Sequence, residues 1–296
     1  MNELIIEARI NEYAGRGQNP HVPWTADEIA EDAHRCAGAG ASIVHFHARD
    51  VRGEPLYGAK ANADIIRRIR HRTDVLIHPT LGAATLDAPP RERIEPVVSL
   101  ANDPATRADF APMDMGSANL DFYDPQARRF HTTDVIYKNT TATLQHFANA
   151  ITAVGMKHYL ACWSVGFTRQ ALAFIDMGLL PEPVFLLFVL TDGNLLAGHP
   201  GTPAGLDAHL QMLPKDKNIE WGVCNHGGDL LPLVDKIIGD GGHVAIGLGD
   251  FPYATSAGIA GQPTNADLIA KVADRAHALG RAVAQPADVR AVLRME

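Results

Sequence analysis

Ser42-Ile-Val-His-Phe-His-Ala-Arg-Asp50 reads as a buried strand carrying two histidines. His45 and His47 stand two residues apart, and on a strand such positions point to one face. Val44, Phe46 and Ala48 then point to the other face, where packed helices would cover them. Two imidazoles side by side near the C-terminal end of a strand can share a divalent metal. A pair of polar core histidines, each bonded to a neighbour, is the plainer alternative.

Outward from this stretch, strand and helix alternate along the chain. Leu4 to Ile10 reads as a strand with Ile6, Ala8 and Ile10 on one face and Glu7, Arg9 and Asn11 on the other. Thr25-x-x-Glu28 is a capping box that opens a helix through Cys36. Further strands are expected at Val75 to His78, Asp109 to Met113, Lys157 to Cys162, Val184 to Leu190, Ile219 to Cys224 and His243 to Leu248. Helical stretches separate them, among them Asn62 to His71, Thr143 to Val154, Thr168 to Met177 and Asn265 to Leu279. Eight βα units in 296 residues predict one α/β domain over 1–296, a (β/α)8 TIM barrel. In such barrels the chemistry lies at the C-terminal strand ends. The candidates there are Asn11, Glu12, His45, His47, Arg49, His78, Thr80, Asp114, Cys162, Cys224, His226 and Asp250.

Composition narrows the function classes. Lys and Arg number 26 against 34 Asp and Glu, a net charge of −8, which argues against a nucleic-acid partner. No apolar run approaches membrane-spanning length. The first residues lack the basic stretch of a signal peptide. Cys36, Cys162 and Cys224 are widely spaced, which suits a reducing cytoplasm better than a disulfide framework. The Gly198-His-Pro-Gly-Thr-Pro segment reads as a turn, mobile loop or lid.

At this point the chain resembles the β-keto acid cleavage enzymes, the group of 3-keto-5-aminohexanoate cleavage enzymes. The likeness runs nearly end to end. It rests on Pro23-x-Thr-x-x-Glu-Ile-Ala, Ala39-Gly-Ala-Ser-Ile-Val-His-Phe-His-Ala-Arg-Asp50 and Gly241-Gly-His-Val-Ala-Ile-Gly-Leu-Gly-Asp250. Asn265-Ala-Asp-Leu-Ile and Gly280-Arg-x-Val-Ala extend it. The resemblance implies a zinc-dependent barrel that exchanges acyl groups between a β-keto acid and acetyl-CoA, and a homo-oligomer, dimer or tetramer. It assigns His45 and His47 to zinc, Thr80 to the place of a substrate-holding serine, and Asp250 to an aspartate beside the catalytic centre. Gly82 falls in the turn after the third strand, where backbone amides would help orient a substrate carboxylate. Asp114 stands where an asparagine is usual.

The chain also departs from that pattern. Ala245 replaces an arginine, Gly249 replaces the glutamate that is the third zinc ligand, and Ala161 replaces a glutamate near the end of the fifth strand. The inward face of strand one offers substitutes, Arg9 for the guanidinium and Glu7 for the metal-binding carboxylate. Glu12, His78 and His226 are rival third ligands, and a Glu7–Arg9 pair that merely fills the barrel is the structural alternative. The expected chemistry is a Claisen-type cleavage or condensation, with Asp250 accepting a proton, Arg9 stabilising the enolate, and Thr80, Gly82 and Asp114 binding substrate. A metal-dependent hydrolase and a non-catalytic binder of an acidic metabolite are the competing readings.

Overall fold

β1 (Ile6–Arg9) lies at the centre of the architecture, flanked in parallel by β2 (Ile43–Phe46) and β12 (His243–Ile246). The structure is a computed structural model and describes residues 2–81, 88–254, 258 and 261–295. The other barrel strands are β3 (Leu76–Pro79), β4 (Phe110–Asp114), β9 (Lys157–Cys162), β10 (Val184–Thr191) and β11 (Ile219–His226). Their order is β3-β2-β1-β12-β11-β10-β9-β4, all neighbours parallel. The ring closes between β3 and β4, where the Asp109 N–H donates to the Ile77 carbonyl at 3.0 Å and the Ile77 N–H to Asp109 Oδ2 at 2.8 Å. The expected TIM barrel is therefore the observed fold.

Period-two alternation sorts the side chains into two cores. Ile6, Ala8, Val44, Phe46, Ile77, Leu160 and Phe188 pack outward against the helices. Ile5, Ile43, Leu76, Phe110, Tyr159, Phe185 and Cys224 fill the barrel interior. The surrounding helices are α1 (Ala26–Gly38), α2 (Ala59–Arg72), α3 (Pro90–Val98), α4 (Thr141–Ala153), α5 (Val165–Asp176), α6 (Pro203–Leu210), α7 (Val234–Gly239) and α8 (Asn265–Ala278). Thr25 and Glu28 form the expected capping box on α1. A last helix, α9 (Pro286–Leu293), was not expected from the sequence pattern. It puts Val289 and Leu293 into the inner cluster.

An insertion between β4 and α4 is the second unforeseen feature. β5 (Ala118–Asn119) pairs with β8 (Ile136–Tyr137), and β6 (Tyr123–Asp124) with β7 (Arg129–Phe130), both antiparallel. Strands of two residues carry no periodicity that a sequence reading could detect. The insertion is tied to the loop after β10 by the Phe122–Leu195 bridge and by Tyr123 N–H donating to the Asn194 carbonyl at 2.8 Å. The Gly198–Pro203 segment is itself pinned, since Thr191 N–H bonds the His199 carbonyl at 2.8 Å and His199 N–H the Trp163 carbonyl at 3.1 Å. Among the described residues, no helix is long and apolar enough to cross a membrane.

Candidate active site

The turn that ends β1 builds the centre of the site. Glu12 takes φ of 34°, a left-handed conformation that non-glycine residues adopt mainly where surrounding contacts enforce it. Arg49 supplies one such contact, bonding the Glu12 and Ala14 carbonyls through Nη2 and Nη1. Asn11 supplies others: its Oδ1 accepts from His47 N–H at 2.8 Å, while its Nδ2 donates to the His47 carbonyl at 2.9 Å and the Pro23 carbonyl at 3.0 Å. The loop is thereby fastened to the end of β2, and the Glu12 carboxylate is aimed at both histidines.

The resulting cluster is tight and buried. Glu12 Oε1 lies 3.0 Å from His45 Nε2, and Glu12 Oε2 lies 2.6 Å from His47 Nε2. Arg9 Nη2 stands 2.8 Å from Glu12 Oε1, and Arg9 Nε donates to Asp250 Oδ2 at 2.7 Å. Burial opposes ionisation of Glu12, yet Arg9, His45 and His47 together hold its carboxyl well below the usual range. Burial works against the Arg9 charge too, but Asp250 and Glu12 keep the guanidinium protonated. Burial pushes the His47 imidazole down, towards the neutral form that ligates metals.

Glu7 sits elsewhere on the inward face. Its Oε1 bonds His78 Nδ1 at 2.8 Å, and Tyr159 donates its hydroxyl to Oε2. Burial pushes His78 down to about 4, with the neighbouring His45 adding to the shift. Among the described residues two groups have the spacing to hold an ion, Glu12 with His45 and His47, and Glu7 with His45 and His78. Glu7 does not join His47: the expected set of His45, His47 and Glu7 is not brought together, and the carboxylate that meets both histidines is Glu12. The anticipated Glu7–Arg9 filler pair is likewise corrected, because the carboxylates paired with Arg9 are Glu12 and Asp250. The reason is register. Arg9 lies beside His45 near the strand end, whereas Glu7 lies one inward layer lower, beside Ile43 and Ala245.

A divalent ion fits the upper group. His45 Nδ1 donates to the His78 carbonyl at 2.9 Å, which turns the lone pair on Nε2 towards Glu12. Glu12 Oε1 is buried and makes no hydrogen bond of acceptable geometry. Two imidazoles and a carboxylate form a donor set suited to zinc. The space for this carboxylate comes from the turn after β12. A Cβ added to Gly249 would lie 2.6 Å from Glu12 Cγ and 2.8 Å from Glu12 N. Only glycine there lets the Glu12 turn approach.

The cluster opens into a cavity of about 420 Å³. Arg9, Glu12, His45, His47 and His226 line one side, while Asp114, Tyr137, Trp163 and the insertion residues Leu120 and Phe122 line the other. Thr80 is in the wall, and Gly82 lies outside the described residues. Asp250 stands behind this wall, 6 % exposed, with His226 Nδ1 3.3 Å from its Oδ1. It meets the cavity through His226, whose pKa burial lowers but whose bond to Asp250 raises it overall. Sequence reasoning placed His226 at a strand end without giving it this partner. Cys162 and Cys224 are buried thiols that burial pushes up, which makes them poor nucleophiles.

Known proteins are similar to this chain over most or all of its length. A 3-keto-5-aminohexanoate cleavage enzyme of Fusobacterium nucleatum subsp. nucleatum is 27% identical, with 100% of this chain and 99% of that protein covered. A 3,5-dioxohexanoate:acetyl-CoA acetone transferase of Paraburkholderia graminis is 25% identical over 94% of this chain and 91% of its own length. The apo structure of ObcA superposes with a TM-score of 0.73 at 14% identity, covering 93% of this chain. This chain spans 66% of that longer protein, and the likeness concerns the fold. The family model described as beta-keto acid cleavage enzyme matches residues 3–295. With the barrel, the histidine pair and this match over almost its full length, the chain belongs to the beta-keto acid cleavage enzyme family.

Proposed function

We propose that the protein exchanges acyl groups between a β-keto acid and acetyl-CoA. The acetyl carbonyl carbon joins C2 of the keto acid, the C2–C3 bond breaks, and the released acyl group leaves on the CoA sulfur. The products are acetoacetate and a new acyl-CoA. The observation that carries this reading is the Glu12–His45–His47 cluster at one end of a mostly apolar cavity, in a chain of this family. We assign zinc to these three residues. When bound, it supplies a Lewis acid for the keto oxygen and carboxylate of the substrate.

The chain's own residues do the remainder. Arg9 keeps Glu12 ionised, pairs with Asp250 and places a fixed positive charge on the cavity wall, where enolate charge develops. His226, oriented through Nδ1 by Asp250, presents Nε2 to the cavity and moves the proton at C2. The proton-accepting role expected of Asp250 is thus exercised through the imidazole, with Asp250 as its support. Thr80 orients the substrate carboxylate. By the same family likeness, the protein assembles as a homo-oligomer in the cytoplasm, and light scattering at micromolar concentration is expected to return a multiple of 31.9 kDa.

A panel of β-keto acids assayed for acetoacetate tests the reading. Product is expected only with acetyl-CoA present. Consumption of substrate without acetyl-CoA would transfer support to a metal-dependent hydrolase. Binding of keto acid without turnover under either condition would leave only a binding protein.

A further inference from the structure

Asn265 lies behind the cavity wall, yet its side chain stands where the two site-bearing turns begin. β1 and β12 pair directly in parallel as far as Ala8 and Ile246. Two positions further on, the pairing passes through a side chain. Leu248 N–H donates to Asn265 Oδ1 at 2.7 Å, and Asn265 Nδ2 donates to the Ile10 carbonyl at 3.0 Å. Nδ2 also donates to Asp32 Oδ2 on α1 at 2.6 Å, and Arg35 Nη2 holds the other Asp32 oxygen at 3.0 Å. Asn265 and Asp32 are both buried. The oxygen and both N–H groups of the amide are thus engaged, and a flipped amide would set like groups against all three partners.

Resting on the acyl-exchange reading, we propose that Asn265 is a positioning residue for that reaction, a wedge that sets the spacing of the turns carrying Glu12 and Asp250. Glu12 lies two residues past Ile10, and Asp250 two residues past Leu248. The two turns meet across Arg9, which stands 2.8 Å from Glu12 and 2.7 Å from Asp250, so a shift of either turn breaks that bridge. The wedge is anchored from the helix layer. Thr264 caps α8 in a capping box with Asp267, which fixes Asn265 as the first helical residue. A Cβ added to Gly247 would lie 2.9 Å from Asn265 Oδ1, so glycine there admits the amide. Without the amide, the Ile10 carbonyl and Leu248 N–H, both in buried residues, are left unpaired or draw together. Unpaired buried backbone groups are unfavourable, and closure of the gap displaces both turns.

The test compares Asn265→Ala with Thr264→Ala, which uncaps the same helix and leaves the wedge in place. Competition with a chromophoric chelator gives zinc affinity, thermal unfolding gives Tm, and turnover of a β-keto acid with acetyl-CoA at saturating zinc gives kcat and KM. Asn265→Ala is expected to weaken zinc binding by about 10- to 100-fold, the range of a residue that orients ligands. It is expected to lower kcat by about tenfold or more, with little change in KM. Thr264→Ala is expected to lower Tm and leave zinc affinity and kcat unchanged. Asn265→Ser keeps one small polar group in the gap, is expected to fall between Asn265→Ala and the wild type, and decides the matter where the alanine variant does not fold. Unchanged zinc affinity and kcat in the folded Asn265 variant, a loss carried by KM alone, or equal losses in Thr264→Ala would overturn the proposal. Absence of turnover in the wild type alongside the contrast in zinc affinity would instead count against acyl exchange and leave the wedge standing.

Discussion

Replacing Arg9 with methionine removes the guanidinium that bridges two buried carboxylates. Arg9 stands 2.8 Å from Glu12 and 2.7 Å from Asp250, and all three side chains are at most 9% exposed. Breaking a buried pair by deleting one partner costs about 3–5 kcal/mol, because the remaining charge is stranded. With an unfolding entropy of roughly 0.6 kcal/mol/K for a chain of this length, that lowers Tm by about 5–8 °C. The measurement is thermal unfolding of chelator-treated protein, so that no bound ion offsets the stranded charge. The deficit is expected to shrink as pH falls, because His47 and His226 can then protonate and replace the lost charge. In that range the folded variant binds protons that the unfolded chain does not, so its stability falls with rising pH. Adding Glu12→Gln and Asp250→Asn to the Arg9→Met background removes the stranded charges and is expected to restore most of the loss. A Tm within about 1 °C of wild type, on the same entropy scale, or no recovery in the triple variant, would refute this account of Arg9.

Glu12→Gln is expected to weaken zinc binding by more than the roughly 10- to 100-fold typical of a supporting residue; competition with a chromophoric chelator measures it. Replacing both His45 and His47 with alanine should remove the ion from a still-folded barrel, with metal content by mass spectrometry and circular dichroism as readouts. Gly249→Ala forces a methyl into the Glu12 turn. It is expected to cost about 1–3 kcal/mol by overpacking, and zinc affinity should fall although no ligand is changed. Glu28 accepts from Thr25 and Trp24 backbone N–H groups and from Arg16. Burial alone would raise it, but those bonds bring it from 4.5 down to about 2. Its folded pKa is depressed, so its stabilisation is full above about pH 4.5 and disappears as pH falls towards 2. With its side chain 43% exposed, Glu28→Ala is expected to cost only about 1 kcal/mol at pH 7, and the two urea curves should converge near pH 2.

The barrel was legible in the sequence because its signals are local. Alternation of Ile6, Ala8 and Ile10 with Glu7, Arg9 and Asn11, the capping box at Thr25, and eight strand–helix repeats each depend on residues close in the chain. The same period-two rule put His45 and His47 on one inward face. The carboxylate that meets both was not determined that way. Glu7 and Glu12 both sit near β1, and strand alternation favours Glu7, since Glu12 lies beyond the strand in a turn with φ of 34°. That turn is held by Arg49, just after β2, and by Asn11, just after β1, and its space exists because residue 249, more than two hundred positions away, is glycine. The partners of Arg9, the support of His226 by Asp250, and the placing of Tyr137 on Asp114 are likewise contacts between distant segments. Local periodicity states which way a side chain points, whereas ion pairing depends on what the closed barrel brings within about 3 Å of it.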